Sequence, residues 1–196
     1  MPPLLDKSFY IGDDVVGIAR SLLGCIIQSR VNGITTSGII TETEAYRGPE
    51  DKASHAYNNR RTPRTNTMFE EGGTSYIYLC YGIHHLFNVV TGPRDIPHAV
   101  LIRAIRPLEN IPAMLERRGF NRATNSLTNG PGKWTQAMGI TTQLDNIPLY
   151  TTHSLIQIYE GINISKDEII VSPRVGIDYA EEWIGKPWRF IVKNKV

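Results

Sequence analysis

The chain has 196 residues, 41% of them apolar and 20% charged, with 17 Gly and 12 Pro, a composition that excludes a disordered, collagenous or low-complexity protein. Its 21 Lys and Arg nearly balance 19 Asp and Glu, leaving a net charge of +2, so anion binding has to come from local patches and not from bulk charge. Cys25 and Cys80 stand in no C-x-x-C or Cys/His array, which argues against a disulfide framework or a four-ligand zinc site.

At the N-terminus, MPPLLDKSFY lacks a charged segment followed by an apolar one, and no apolar run reaches the roughly 18 residues of a membrane helix. One soluble, intracellular domain over residues 1–196 is expected, with no membrane association and no cofactor. Asp13 and Asp14 precede an i, i+3, i+4, i+7 stripe of Val15, Ile18, Ala19 and Leu22 that closes at Gly24, which predicts a short capped amphipathic helix. The runs CIIQSRV and ITTSGIITETEAY flank Asn32 and Gly33, a pair that favours a two-residue hairpin turn because both positions need positive φ.

From Arg47 to Gly73 the pattern is lost, and a polar, turn-rich stretch of that length inside one domain points to a functional loop. TSYIYLCY and HHLFNVVT bracket Gly82 as a second hairpin, and HAVLIRAI supplies another strand. PLENIPAMLERRGF reads as a helix with Pro107 in its first turn and Pro112 shortening or disturbing it. GPGKWTQAMGI reads as a second short helix, and SLIQIYE, EIIVSP and RFIVK as short strands. One helix, several antiparallel strands, two helices and further strands make an α+β pattern.

Three groups of residues carry candidate chemistry. Period-two alternation in ETEAY puts Glu42, Glu44 and Tyr46 on one strand face and Thr43 and Ala45 on the other. On pattern alone, a solvated face of an edge hairpin serves equally well. The balance shifts because the strand runs into the loop that carries His55, Arg60, Arg61 and Arg64. In SYIYLCYG, Tyr76 and Tyr78 share a face, while Tyr81 points the other way or sits at the tip next to Gly82. Such rings ordinarily fill a core, but they can also stack on nucleobases, at about 1–3 kcal/mol per base. Further basic residues, among them Arg103, Arg106, Arg189, Lys193 and Lys195, read as solvated surface unless they converge into a phosphate-binding rim.

Other matches fail. NGPGKW departs from a P-loop at Leu127 and Trp134 and reads as a glycine-lined helix start. His84 and His85 are adjacent on a strand and point to opposite faces, so they cannot chelate one ion. The H-x-E and P-C-x-x-C signature of zinc deaminases is missing.

ETEAYRGPEDKASHA is similar to the E-T-E-A-Y-x-G-P-x-D-x-A-x-H pattern of the alkyladenine (3-methyladenine) DNA glycosylase family. The likeness continues through RRTPRTNTMFEEGGTSYIYLCYGIHHLFNVVT, VLIRAIRPLE, NGPGKWTQAMGI and RVGIDYAEEWIGKPWRF, over roughly residues 8 to 193. The resemblance implies a single compact α+β domain on a curved antiparallel β-sheet with flanking helices and no metal. It implies a monofunctional enzyme of base excision repair that flips alkylated or deaminated purines from damaged double-stranded DNA. The enzyme would hydrolyse the N-glycosidic bond with a Glu-activated water and leave an abasic site.

Position by position, the resemblance makes Glu44 the general base, with Tyr46 and His55 packed against the flipped base and Tyr78 on its other side. Asn88 would crowd the exocyclic amine of guanine, Tyr81 would wedge into the duplex, and Arg103 would stand at the site wall near the nucleotide backbone. Arg60, Arg61 and Arg64 are the expected phosphate contacts, and a monomer is expected. The chemistry is coherent with this. Extruding a base costs a few kcal/mol, which stacking and an intercalated ring can offset. An ordinary glutamate is ionised at neutral pH and can take a proton from water. No lysine stands at a matched motif position, which fits hydrolysis without a covalent intermediate. A non-enzymatic damaged-base binding module and a small-molecule nucleosidase remain as alternatives for the same residues.

Overall fold

A computed structural model describes residues 2–193; Met1 and residues 194–196, including Lys195, lie outside the described residues. Asp14 caps helix α1 (Val15–Ser21) through a carboxylate that accepts from the Gly17 N–H at 2.8 Å. Strands β1 (Ile26–Val31) and β2 (Ile34–Arg47) then form the first hairpin. Its turn has Asn32 at φ 52 and Gly33 at φ 75, the double left-handed geometry that makes Asn-Gly favourable there.

The second hairpin joins β3 (Ser75–Cys80) to β4 (His84–Thr91) and is followed by β5 (His98–Glu109). Helices α2 (Ile111–Arg118) and α3 (Pro131–Ala137) precede three short strands, β6 (Ile156–Tyr159), β7 (Ile169–Ser172) and β8 (Arg189–Val192). The eight strands make one antiparallel sheet in the order β3-β4-β5-β2-β1-β6. β8 pairs with β2 at Glu42–Glu44, beyond the stretch that β1 covers, and β7 pairs with β8. The fold is α+β, as the order of elements predicts.

Two readings need correction. Pro107 to Glu109 belong to β5 and not to a helix. Pro107 lies opposite Gly38 at a register shift, a place where a strand tolerates a residue without an N–H. Asn110, at φ 56, turns the corner, and Pro112 then sits in the first turn of α2, where it starts the helix instead of disturbing it. The second correction concerns β2, which is no edge strand: β5 flanks it on one side, with β1 and then β8 on the other. Register shifts between Ile40, Glu42 and Thr43 add the local bend that bulges bring.

The two faces of the sheet do different work. One packs under α1 and α3: Thr43 donates to the Ala19 carbonyl at 2.7 Å, and buried Trp134 donates to the Ile102 carbonyl at 2.9 Å beside Phe87. The opposite face carries Glu42, Glu44 and Tyr46 and is covered by the Arg47–Gly73 loop and by residues 173–188. Met68 and Phe69 of the loop pack on Tyr76 and Val90, and Asp145 ties it to β3 by accepting from Thr67 at 2.8 Å and from the Ile77 N–H at 2.7 Å. Among the described residues no helix is long and apolar enough to cross a membrane.

Candidate active site

Strand register alone aligns the central residues. Tyr76 pairs with Asn88, Asn88 with Leu101 and Leu101 with Glu44, so these four form one row across β3, β4, β5 and β2. Partners at opposite positions share a sheet face, and two residues along each strand the same face presents Tyr78, Arg103 and Tyr46. Local alternation thus builds a surface of acids, amide and phenols from four separate segments.

Above this face lies an open cleft of about 610 Å³ whose walls include Tyr46, His55, Arg64, Tyr78, Tyr81 and Arg103. It continues inward to a recess of about 20 Å³ between Tyr46, His55, Tyr76, Tyr78 and Asn88, room for a single water. His55 and Tyr78 meet edge to face at 4.6 Å, and the Arg64 guanidinium lies 4.9 Å over the Tyr78 ring. Entry of a flat ring therefore requires His55 and Tyr78 to part. Asn88 donates to the Tyr76 carbonyl at 3.1 Å, which fixes its amide at the recess wall.

Glu44 is 0% exposed and stands one layer behind the cleft. Its Oε2 accepts from the Tyr46 hydroxyl at 2.8 Å and from Arg103 Nη1 at 3.3 Å, and its Oε1 accepts from the Val175 N–H at 2.9 Å. All three donors belong to residues that line the cleft. Arg103 also donates to Glu42 Oε1 at 3.0 Å, and Arg189 reaches the same oxygen at 2.8 Å. Burial opposes the Arg103 charge, but Glu44 and Glu42 outweigh it and hold its pKa above the usual value. Burial and the Glu44 carboxylate push the Tyr46 hydroxyl well up, so it stays a donor. Burial, helped by Arg64, lowers His55 to about 4, and its neutral ring shares a hydrogen bond of 3.0 Å with the Tyr76 hydroxyl.

Not every expected residue joins the cleft. Arg60 lines a neighbouring pocket of about 320 Å³ that shares His55, Arg64 and Tyr179 with it. Arg61 is held elsewhere, by Asp95 at 3.0 Å and Asn66 at 2.9 Å, with its guanidinium 4.8 Å over Phe69. Conversely, Val175, Gly176, Tyr179 and Lys133 line the cleft although sequence reasoning gave them no role. RVGIDYAEEWIGKPWRF and NGPGKW are the stretches that hold them, but Val175 contributes a backbone N–H, which no side-chain pattern reveals.

A carboxylate behind an aromatic, cation-edged cleft is compatible with hydrolysis of an N-glycosyl bond. The chain matches the family model of methylpurine-DNA glycosylase over residues 8–196. It is 51% identical to a protein of Chlamydia abortus over 98% of the chain and 100% of the relative, and 49% identical to one of Chlamydia felis over 98% and 97%. It is 46% identical to one of Bacillus mycoides over 93% of each, and all three relatives carry the provisional name of a 3-methyladenine DNA glycosylase. The chain therefore belongs to the methylpurine-DNA glycosylase family and is a DNA glycosylase of base excision repair. The alternative of a non-enzymatic binding module falls with that membership.

The neutral His55 has a stability consequence. An unfolded imidazole titrates near 6.5 and this one near 4, so between those values the unfolded chain takes up a proton that the folded chain refuses. Stability present above pH 6.5 is therefore lost as pH falls toward 4. His55→Asn should flatten that slope in urea unfolding followed at several pH values, while His98, also lowered by burial, keeps part of it. Equal slopes in the two proteins would contradict a buried, neutral His55.

Proposed function

We propose that the protein removes alkylated or deaminated purines from duplex DNA by water attack on the sugar C1′, with Glu44 as general base. The observation that carries this reading is the placement of Glu44 in one row with Asn88 and Tyr76, behind three donors that themselves face the cleft. A carboxylate has about four acceptor sites. Tyr46, Arg103 and Val175 fill three, which leaves one on Oε1 for a water admitted when an entering nucleotide opens the cleft. The water oxygen bonds to C1′, its proton passes to Glu44, and the C1′–N bond breaks with its electron pair going to the purine. A methylated purine already carries positive charge and leaves as a neutral base, while a neutral purine has to be protonated as it leaves.

The remaining groups supply binding. Tyr46 and His55 face one side of the everted base and Tyr78 the other, and Asn88 meets the purine edge, where it disfavours guanine. Tyr81 is the wedge. It stands 92% exposed at the hairpin tip, in a turn closed by the Ile83 N–H on the Cys80 carbonyl at 3.1 Å. Arg60 and Arg64, with Lys133 on the cleft wall, form a cationic rim for phosphates, and Arg103 is the wall beside the extruded nucleotide. Arg61, engaged by Asp95, has a weaker claim to DNA. Attack by water, with no covalent amine intermediate, leaves an intact abasic site.

Glu44→Gln should bind a lesion duplex within a few-fold of the parent protein while base release falls by at least about 100-fold, the usual scale of a lost general base. Single-turnover kinetics with alkaline cleavage of abasic sites would read it, and full activity would remove Glu44 from the mechanism. Tyr81→Ala should weaken binding to damaged duplex by about 1–3 kcal/mol and leave release from an already unpaired lesion nearly unchanged. Equal losses on both substrates would argue against a wedge.

A further inference from the structure

Arg174 has been given no role above, yet it joins the end of β2, Tyr46, Trp188 and the loop at Asp51. Its side chain and that of its partner Asp51 are both 0% exposed. Nη1 donates to Asp51 Oδ2 and to the Ala45 carbonyl at 2.9 Å, and Nη2 donates to Asp51 Oδ1 at 3.0 Å. The guanidinium is also stacked between Tyr46, at 4.8 Å, and Trp188, at 5.1 Å. Asp51 in turn accepts from the Arg47 N–H at 3.2 Å and the Ala53 N–H at 2.9 Å, closing the turn that leads to His55. One fork thus fixes the end of β2, the plane of Tyr46 and the start of the loop.

Stability alone is a poor account of such a pair, because two buried charges gain in attraction about what they lose in hydration and an apolar pair would serve as well. Direction is what the fork adds. The next N–H along the chain, from Val175, is the donor that holds Glu44 Oε1 at 2.9 Å. Tyr46 and Arg103 both act on Oε2. The terminal torsion of a glutamate is broad, so the Val175 amide is what settles the carboxylate plane. Val175 is itself 45% exposed, and Gly176 after it has φ 73, so the segment is anchored on either side of them, by Arg174 before and by buried Ile177 after. We propose that Arg174, clamped by Asp51, is a positioning residue for base release, acting on Glu44 through the Val175 amide. The proposal rests on Glu44 being the base.

Arg174→Lys keeps the charge and loses the fork. The single-turnover rate of base release at saturating enzyme should fall about 10- to 100-fold, the scale of an ångström-sized misplacement. The Kd for a duplex with a stable abasic analogue should stay within about threefold. In a Glu44→Gln background the same change should cost less than about threefold, since there is then no base to misplace. A full second loss in that background, or a defect confined to DNA binding, would reduce Arg174 to a structural part and overturn the proposal. So would an unchanged rate in the single variant. Full activity in Glu44→Gln alone would instead overturn the reading of Glu44. Should Arg174→Lys fail to fold, Asp51→Asn gives the same test with the fork intact and its partner neutral: a slower release with unchanged abasic-analogue binding supports the proposal, and a parental rate overturns it.

Discussion

Two carboxylates two residues apart at the centre of a sheet cannot stay buried and charged unless cations are brought to them. Burying an unpaired ion is far costlier than any single packing gain. Arg103 from β5 and Arg189 from β8 meet that demand at Glu42 and Glu44, and Arg174 meets it at Asp51. Three acids and three guanidinium groups therefore sit together under the cleft. The rest of the site follows from this balance. β8 has to run beside Glu42–Glu44, residues 173–188 have to cover the acids, and the loop after β2 has to return so that Asp51 reaches Arg174.

The same balance explains how a carboxylate can be both ready and shielded. Glu44 is held in one orientation by a phenol, a guanidinium and a backbone N–H, none of which it can deprotonate at neutral pH. On the proposed reading, a carboxylate so held, with an acceptor site remaining, is preorganised for a proton that comes from water and needs no reorganisation when positive charge develops on the sugar. The aromatic slot is less prepared. With His55 against Tyr78 and only about 20 Å³ between the rings, base entry and water entry are coupled to motion of the walls. On the proposed reading, binding energy from the duplex, through Tyr81 and the cationic rim, supplies that work.

Much of this was legible in the sequence. Asn32-Gly33 and Tyr81-Gly82 mark both hairpins, and period-two alternation places Glu42, Glu44 and Tyr46 on one face and Tyr76 with Tyr78 on another strand's matching face. What alternation does not carry is whether a face is covered. The same pattern reads as a solvated edge; β8 closes the edge, and the loop after β2 together with residues 173–188 covers the face, partners that lie far along the chain. The Pro107 to Pro112 stretch misleads for a local reason: both prolines are allowed in a first helical turn, and the left-handed Asn110 that separates strand from helix has no distinctive signature. Arg174 and Val175 escape notice because one acts from inside a stacked ion pair and the other through its main chain. Arg61 resembles its neighbours in sequence, and only the position of Asp95 turns it away.

The account is tested most directly by the structure of the Glu44→Gln protein bound to a duplex that carries a methylated purine. It predicts the everted base between His55 and Tyr78, the Val175 N–H still on residue 44, and one ordered water between that side chain and the sugar C1′. A bound lesion with residue 44 still sealed behind Tyr46, Arg103 and Val175, and no water within hydrogen-bonding reach of it, would contradict the account.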